Sequence, residues 1–313
     1  MKTVLKVLAA GLLIAGAGVA ATSPRVGEWI YHDGGQLEAR LYGLHSETVD
    51  IGEMSLAIYR GGAGEGRETL VMLHGYSADR QVWPRFAKHL IDRYDIVIPD
   101  LAGHGDSPFV SGIDYGAPAQ GERVIALLDA LKIERAHVIG NSMGGFIAAH
   151  LALRHPDRIL SATLIDPAGV LAPTPSEADR LIEAGQNPFE VQDRAAFDRL
   201  YPMTMHRAPW LPESVLAAVA QRYIDRREAL AEIKRGFYHR DMLDTRLGEI
   251  RVPVLLLWGR EDRLLDISTA PVWAAGIPGA EVEIFDGVGH MPMVEIPEAA
   301  AARVATFLSK PRT

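Results

Sequence analysis

The chain has 313 residues, 48% apolar and 23% charged, with 32 Lys and Arg against 40 Asp and Glu. That composition excludes whole-chain disorder and allows one large core, while a formal charge of −8 without basic runs argues against nucleic-acid binding. The absence of cysteine removes disulfide scaffolds, thiol nucleophiles, Fe–S clusters and Cys-based zinc sites together.

Lys2 and Lys6 lead into an uncharged apolar run over residues 7–21, closed by Thr22-Ser23-Pro24. A positive start, an apolar middle and small residues before a polar break describe an export signal, with Gly18-Val19-Ala20 and Val19-Ala20-Ala21 as cleavage sites. The run is about 15 residues long, where a spanning helix needs about 20. Counted from Val4, with Lys6 snorkelling, it reaches about 18, so residues 1–24 fit a signal peptide or a retained membrane anchor. A helix buried in the body is the blander alternative. The expected location is the inner membrane with the catalytic body in the periplasm, or the periplasm or exterior if the signal is cleaved. Gly11 and Ala15 form a small-xxx-small pair, which suggests a homodimer through this segment. Residues 25–46 follow as a juxtamembrane segment, where Leu37, Leu41 and Leu44 at helical spacing predict one amphipathic helix.

From Thr48 short strands are expected at 49–51 and 54–59, then a turn-rich stretch from Gly61 to Gly66. Nearly all-apolar runs at 69–73, 96–98, 137–139, 162–165 and 254–258 read as parallel strands buried on both faces, with 282–285 completing the set. Helical stretches such as 122–131 and 146–154 alternate with them, which argues for an α/β fold around a mostly parallel sheet. Between Asp166 and Glu249 no convincing strand occurs. Pro173, Pro175, Pro188, Pro202, Pro209 and Pro212 fall among the helical patches there, and the interval carries Phe189, Phe197, Tyr201, Met203, Met205, Trp210, Tyr223, Phe237, Tyr238 and Met242. The expected division is a core of 47–166 and 250–313 with a helical cap at 167–249.

Gly140-Asn141-Ser142-Met143-Gly144-Gly145 follows an apolar strand and opens a helix, the context of a nucleophile elbow. Ser142 is the expected nucleophile. A serine hydroxyl needs a base, and the base needs an orienting acid; after an elbow of this kind they come in the order acid, base. Asp262 lies just beyond the strand ending at Trp258, and His290 just beyond the one ending at Phe285. Glu261, Asp266 and Asp166 are the rival acids. His104, His137, His150 and His155 read as structural. The oxyanion of an acyl-transfer intermediate needs two preorganised N–H donors, expected from Met143 and from Tyr76 in His74-Gly75-Tyr76. His74 reads as a brace for that loop.

The run from Leu73 through His74-Gly75-Tyr76-Ser77-Ala78 to Trp83 resembles the oxyanion segment of α/β-hydrolases, and Pro99-Asp100-Leu101-Ala102-Gly103-His104-Gly105 resembles that superfamily's turn after the next strand. With the elbow, Asp262 and His290, the resemblance covers about residues 45–310 in order. Within the superfamily these segments look most like bacterial family V lipases, membrane-anchored monoacylglycerol lipases and a bacterial membrane-anchored phospholipase A. It implies an eight-stranded sheet flanked by helices with a cap after the sixth strand, and a serine lipase or esterase acting on acyl esters at a membrane surface.

The elbow also resembles carbon–carbon bond hydrolases of ring-fission products. Those follow a Gly-rich oxyanion segment with Pro, which Tyr76-Ser77-Ala78-Asp79 is not. Such a hydrolase, or a short-chain esterase, is the alternative. No cofactor, metal or nucleic acid is expected: His150 and His155 face different sides of a helix, and no acid–His cluster shows in the spacing.

Overall fold

In a computed structural model, the described residues are 23–62, 64 and 66–310. The apolar run at 7–21, with every expectation attached to it, lies outside them.

Eight strands form one sheet: β1 (Leu44–Asp50), β2 (Ser55–Gly61), β3 (Thr69–Leu73), β4 (Asp95–Pro99), β5 (Ala136–Asn141), β6 (Ile159–Ile165), β7 (Val254–Gly259) and β8 (Glu281–Phe285). Their order is β1-β2-β4-β3-β5-β6-β7-β8. The β1/β2 and β2/β4 pairs are antiparallel and every pair from β4/β3 onward is parallel. Every residue of β3, β4, β5 and β7 is buried, as central parallel strands covered by helices on both faces must be. The edge strand β8 is only partly covered, and its Glu281 and Glu283 pair with Arg303, which keeps charge on an open edge.

The N-terminal stretch differs from the single helix expected. Helices α1 (Pro24–Trp29) and α2 (Gly35–Leu41) are joined by a π-turn at Ile30–Gly34. Gly43, at φ 82, then reverses the chain, so Leu44 leaves the helix and opens β1 fully buried, while Leu37 and Leu41 stay exposed. Gly27 of α1 packs against the chain at Ser214; a Cβ there would come within 1.7 Å of the Ser214 carbonyl oxygen.

Helices α3 (Ala117–Ala130) and α4 (Met143–Arg154) flank the sheet. Between β6 and β7 the described residues carry no strand but four α-helices, α5 (Glu177–Glu183), α6 (Arg194–Thr204), α7 (Glu213–Asp225) and α8 (Arg227–Phe237), and a short 3₁₀ turn at Leu247–Glu249. Helix α5 starts on a Ser176–Asp179 capping box, and the Asp193 side chain caps α6 by accepting from Ala196 N at 2.7 Å. Phe197, Leu200, Met203 and Ala220 make a small core for this insertion. Helix α9 (Pro297–Leu308) closes the chain against the other face of the sheet.

The turn after β4 is fixed by Asp100. Its carboxylate accepts from Arg80 N at 2.7 Å, from Asp106 N at 2.8 Å and from the Arg80 guanidinium, both side chains being almost wholly buried. Gly105 approaches so closely that a Cβ would sit 2.2 Å from that carboxyl. Removing one member of a buried pair strands its partner's charge, which costs about 3–5 kcal/mol. Asp100→Ala is therefore expected to lose roughly that much stability in urea unfolding, and the Arg80→Met/Asp100→Leu double variant less.

Candidate active site

The elbow is a strained turn between β5 and α4. Ser142 stands at φ 58, ψ −118, a region that non-glycine residues occupy at a cost of about 1–3 kcal/mol. The surroundings hold it there. Ser142 N donates to Ile165 O at 3.0 Å, and Ser142 O accepts from Phe146 N at 3.0 Å and Ala168 N at 3.1 Å. Space accounts for the glycines on either side. A Cβ on Gly140 would lie 2.0 Å from Gly144 O, and one on Gly144 would lie 2.3 Å from Leu73 O. The Leu73-His74-Gly75 segment thus rests directly on the elbow, and a Cβ on Gly75 would be 3.1 Å from the Ser142 Cβ.

Asp262 and His290 meet on neighbouring loops. His290 Nδ1 and Asp262 Oδ2 are 2.6 Å apart, and Asp262 Oδ1 accepts from Leu264 N at 2.8 Å and Leu265 N at 3.0 Å. With Oδ1 occupied by backbone, Oδ2 is left to face the imidazole. That bond makes Nδ1 the protonated nitrogen and leaves Nε2 as a base. The two loops cross where only glycines fit: a Cβ on Gly259 would lie 1.9 Å from Gly289 O. Asn141 Nδ2 donates to His290 O at 2.9 Å, tying the histidine's backbone to the residue before Ser142. Of the rival acids, Glu261 accepts from Val288 N at 3.0 Å and Asp266 from Ser268 N at 2.9 Å, so both are turn formers.

Asp166 lies close to the pair. One oxygen of each carboxyl and one His290 nitrogen lie within 4.8 Å of one another. The expectation that no acid–His cluster exists is corrected here: the three residues come from the ends of β6, β7 and β8, and their separation in sequence conceals the contact. Burial, then the neighbouring Asp262 charge, pushes the Asp166 pKa well above the ordinary carboxyl range.

On the opposite side, Tyr76 sends its side chain away from the elbow. Its hydroxyl donates to Leu230 O at 3.0 Å and its ring packs on Phe237 and Phe189. Gly75, the residue before Tyr76, lies against Ser142 at the start of α4, and the N–H of Met143 in that helix's first turn has no intrahelical partner. Two N–H groups on this side of Ser142 are what an oxyanion requires. His74 braces the loop as the sequence suggests: its Nδ1 lies 2.8 Å from Gly75 O and its Nε2 accepts from Leu101 N at 3.0 Å. His104, His137 and His150 are buried with local partners, and His155 meets Glu122.

A cavity of about 810 Å³ opens on the helical side, lined among others by Tyr76, Phe189, Tyr223, Leu230, Lys234 and Tyr238. Tyr76 belongs to its wall, while neither Ser142 nor His290 lines it. Met203 and Met205 are not in its wall. They are buried in the packing of the insertion, where a flexible thioether fills irregular gaps. Sequence spacing gave no sign of Glu295, whose carboxylate joins Gly289 N at 2.8 Å to Arg207 N at 2.7 Å and so ties the His290 loop to the insertion.

The chain belongs to the alpha/beta hydrolase fold family, whose family model matches residues 68–297. It is 30% identical over 277 residues to Lipase 1 of Psychrobacter immobilis, covering 86% of this chain and 87% of that protein. It is 29% identical over 273 residues to the 2-hydroxy-6-oxononadienedioate/2-hydroxy-6-oxononatrienedioate hydrolase of Cupriavidus pinatubonensis, covering 83% and 93%. Among solved structures it is similar to a bacterial membrane phospholipase A, at 36% identity and a TM-score of 0.86 over 98% of both chains.

Burial lowers the His74 pKa to about 4 from an ordinary 6.5. The unfolded chain therefore binds a proton at this residue before the folded one does. The contribution is fully present above about pH 6.5 and is lost as pH falls toward 4, up to roughly 3 kcal/mol. Thermal unfolding between pH 7 and 4.5 should show a steeper loss in the wild type than in His74→Asn.

Proposed function

We propose that this α/β-hydrolase cleaves carboxylic esters of acyl lipids through an acyl-enzyme on Ser142. The observation that carries the reading is the 2.6 Å His290–Asp262 contact on loops locked beside the strained Ser142 elbow. His290 Nε2 takes the Ser142 hydroxyl proton as Oγ attacks the ester carbonyl, and the resulting oxyanion faces the N–H groups of Tyr76 and Met143. When the tetrahedral intermediate collapses, the proton on Nε2 passes to the departing alcohol or lysolipid. A water then gives its proton to Nε2 and attacks the acyl carbonyl, and the fatty acid leaves as Ser142 is reprotonated. Asp262 orients the imidazole and balances its transient positive charge.

Kinship with a lipase and a phospholipase A supports the lipid substrate. In this reading residues 167–249 act as the cap, and the aromatic side of the cavity (Tyr76, Phe189, Tyr223 and Tyr238) packs an acyl chain, while its charged residues, Lys234 and Glu228 among them, stay toward water. Membrane attachment rests on the sequence of residues 1–24 and on exposed Trp29, Leu37 and Leu41 in the stretch that follows. No helix among the described residues is long and apolar enough to cross a membrane. We place the catalytic body in the periplasm, anchored or released, with pairing of two copies through the N-terminal segment. Crosslinking that survives deletion of residues 1–24 would count against that pairing.

The carbon–carbon hydrolase reading keeps one specific support, the 29% identity to such an enzyme. Nitrophenyl esters from acetate to palmitate separate the readings. Medium- and long-chain esters are expected to turn over, with Ser142→Ala at least about 10³-fold slower. Turnover confined to the shortest esters would favour a small-ester enzyme. Absence of Ser142-dependent turnover at every length would overturn ester hydrolysis and bring ring-fission products forward.

A further inference from the structure

Asp166 is a buried carboxyl beside the Asp262–His290 pair that the proposed reaction leaves unused. It is fully buried at the end of β6, at φ 43, with its N–H donating to Leu257 O at 2.9 Å. Oδ1 accepts from Gly259 N at 2.9 Å, while Oδ2 has no hydrogen-bond partner among the described residues. The groups that face it are Asp262 after β7, His290 after β8 and Glu295 on the helix Pro292–Glu295. If Asp166 were ionised, two buried carboxylates would crowd one imidazole, with Glu295 adding further negative charge. Such pairs relieve their repulsion by keeping one proton. A polar oxygen buried without a donor is likewise costly, and a proton on Oδ2 turns it into a donor with the Asp262 carboxylate as its neighbouring acceptor.

We propose that Asp166 is a positioning residue of the reaction: it stands as the neutral acid, its Oδ2 proton facing Asp262, so that His290 meets one negative charge rather than two. The inference rests on the Ser142–His290–Asp262 reading. Its raised pKa agrees with the geometry. The arrangement has two consequences. The extra donor helps keep Asp262 Oδ2 aimed at His290 Nδ1. Withholding the second charge leaves the imidazole facing a single carboxylate, with Nε2 turned toward the Ser142 side of the site.

The test is the pH profile of kcat/KM on a medium-chain nitrophenyl ester for wild type, Asp166→Asn and Asp166→Leu, with Ser142→Ala alongside. Asn keeps an acceptor for Gly259 N and a donor toward Asp262 but cannot carry charge. Asp166→Leu is expected to lose about tenfold or more in kcat through misalignment of Asp262. Asp166→Asn should recover most of that loss, with its acid limb within roughly 0.3 pH unit of wild type. The wild-type infrared spectrum at neutral pH should show a protonated-carboxyl carbonyl band that Asp166→Asn lacks. An acid limb moved down by about one unit in Asp166→Asn would mean that Asp166 is charged, and would overturn the proposal. So would a folded Asp166→Leu with wild-type kcat and limb, or an infrared difference without that band. If Leu fails to fold, the Asn profile and the infrared band decide. Turnover retained by Ser142→Ala would instead sink the triad reading itself, whatever the Asp166 variants do.

Discussion

Ser142 holds a left-handed backbone that an L-residue adopts only under compulsion, and the rest of the site is arranged around supplying it. A buried parallel strand enters the turn, a buried helix leaves it, and Ile165, Phe146 and Ala168 fasten its backbone groups. Gly140 and Gly144 are required for a steric reason, since a Cβ on either would strike backbone, and Gly75 leaves only a tight gap to the Ser142 side chain. The strain is thus balanced by packing and hydrogen bonds, and the hydroxyl is presented at the carboxyl edge of the sheet. There the loops after β3, β7 and β8 converge.

Convergence at this edge also links parts of the chain far apart in sequence. Asn141 joins the elbow to the His290 loop, and Glu295 joins that loop to Arg207 in the helical insertion. On the other side, Tyr31 donates to Asp79 at 2.8 Å, and Arg222 of α7 lies 2.9 Å from Glu28 and 3.6 Å from Asp79. Asp79 belongs to the loop that carries Tyr76, and Tyr76 itself bonds to Leu230. The N-terminal helices, the insertion and the proposed oxyanion loop therefore form one hydrogen-bonded unit, whose geometry bears on both substrate entry and oxyanion binding.

Much of the fold was legible because central parallel strands are short apolar runs; β3, β5, β6 and β7 declare themselves that way. Boundaries set by a single backbone angle were not. Leu44 continues the helical spacing of Leu37 and Leu41, yet Gly43 turns the chain and delivers it to β1. The candidate residues were legible as local motifs, since Ser142, Asp262 and His290 each follow an apolar strand. The closeness of Asp166 to Asp262 and His290, and the bonds Glu295 makes to Gly289 and Arg207, join loops that spacing along the chain does not bring together. Of the methionines in the insertion, Met203 and Met205 are buried and serve as packing material.

The central claim is that Ser142 is a nucleophile activated by His290. The most direct measurement is mass-spectrometric mapping after reaction of the whole protein with a long-chain alkyl phosphonate ester. The account predicts one covalent adduct, on Ser142, formed at least about 10³-fold more slowly in His290→Ala. An adduct on another residue, or labelling of Ser142 at the same rate without His290, would contradict it.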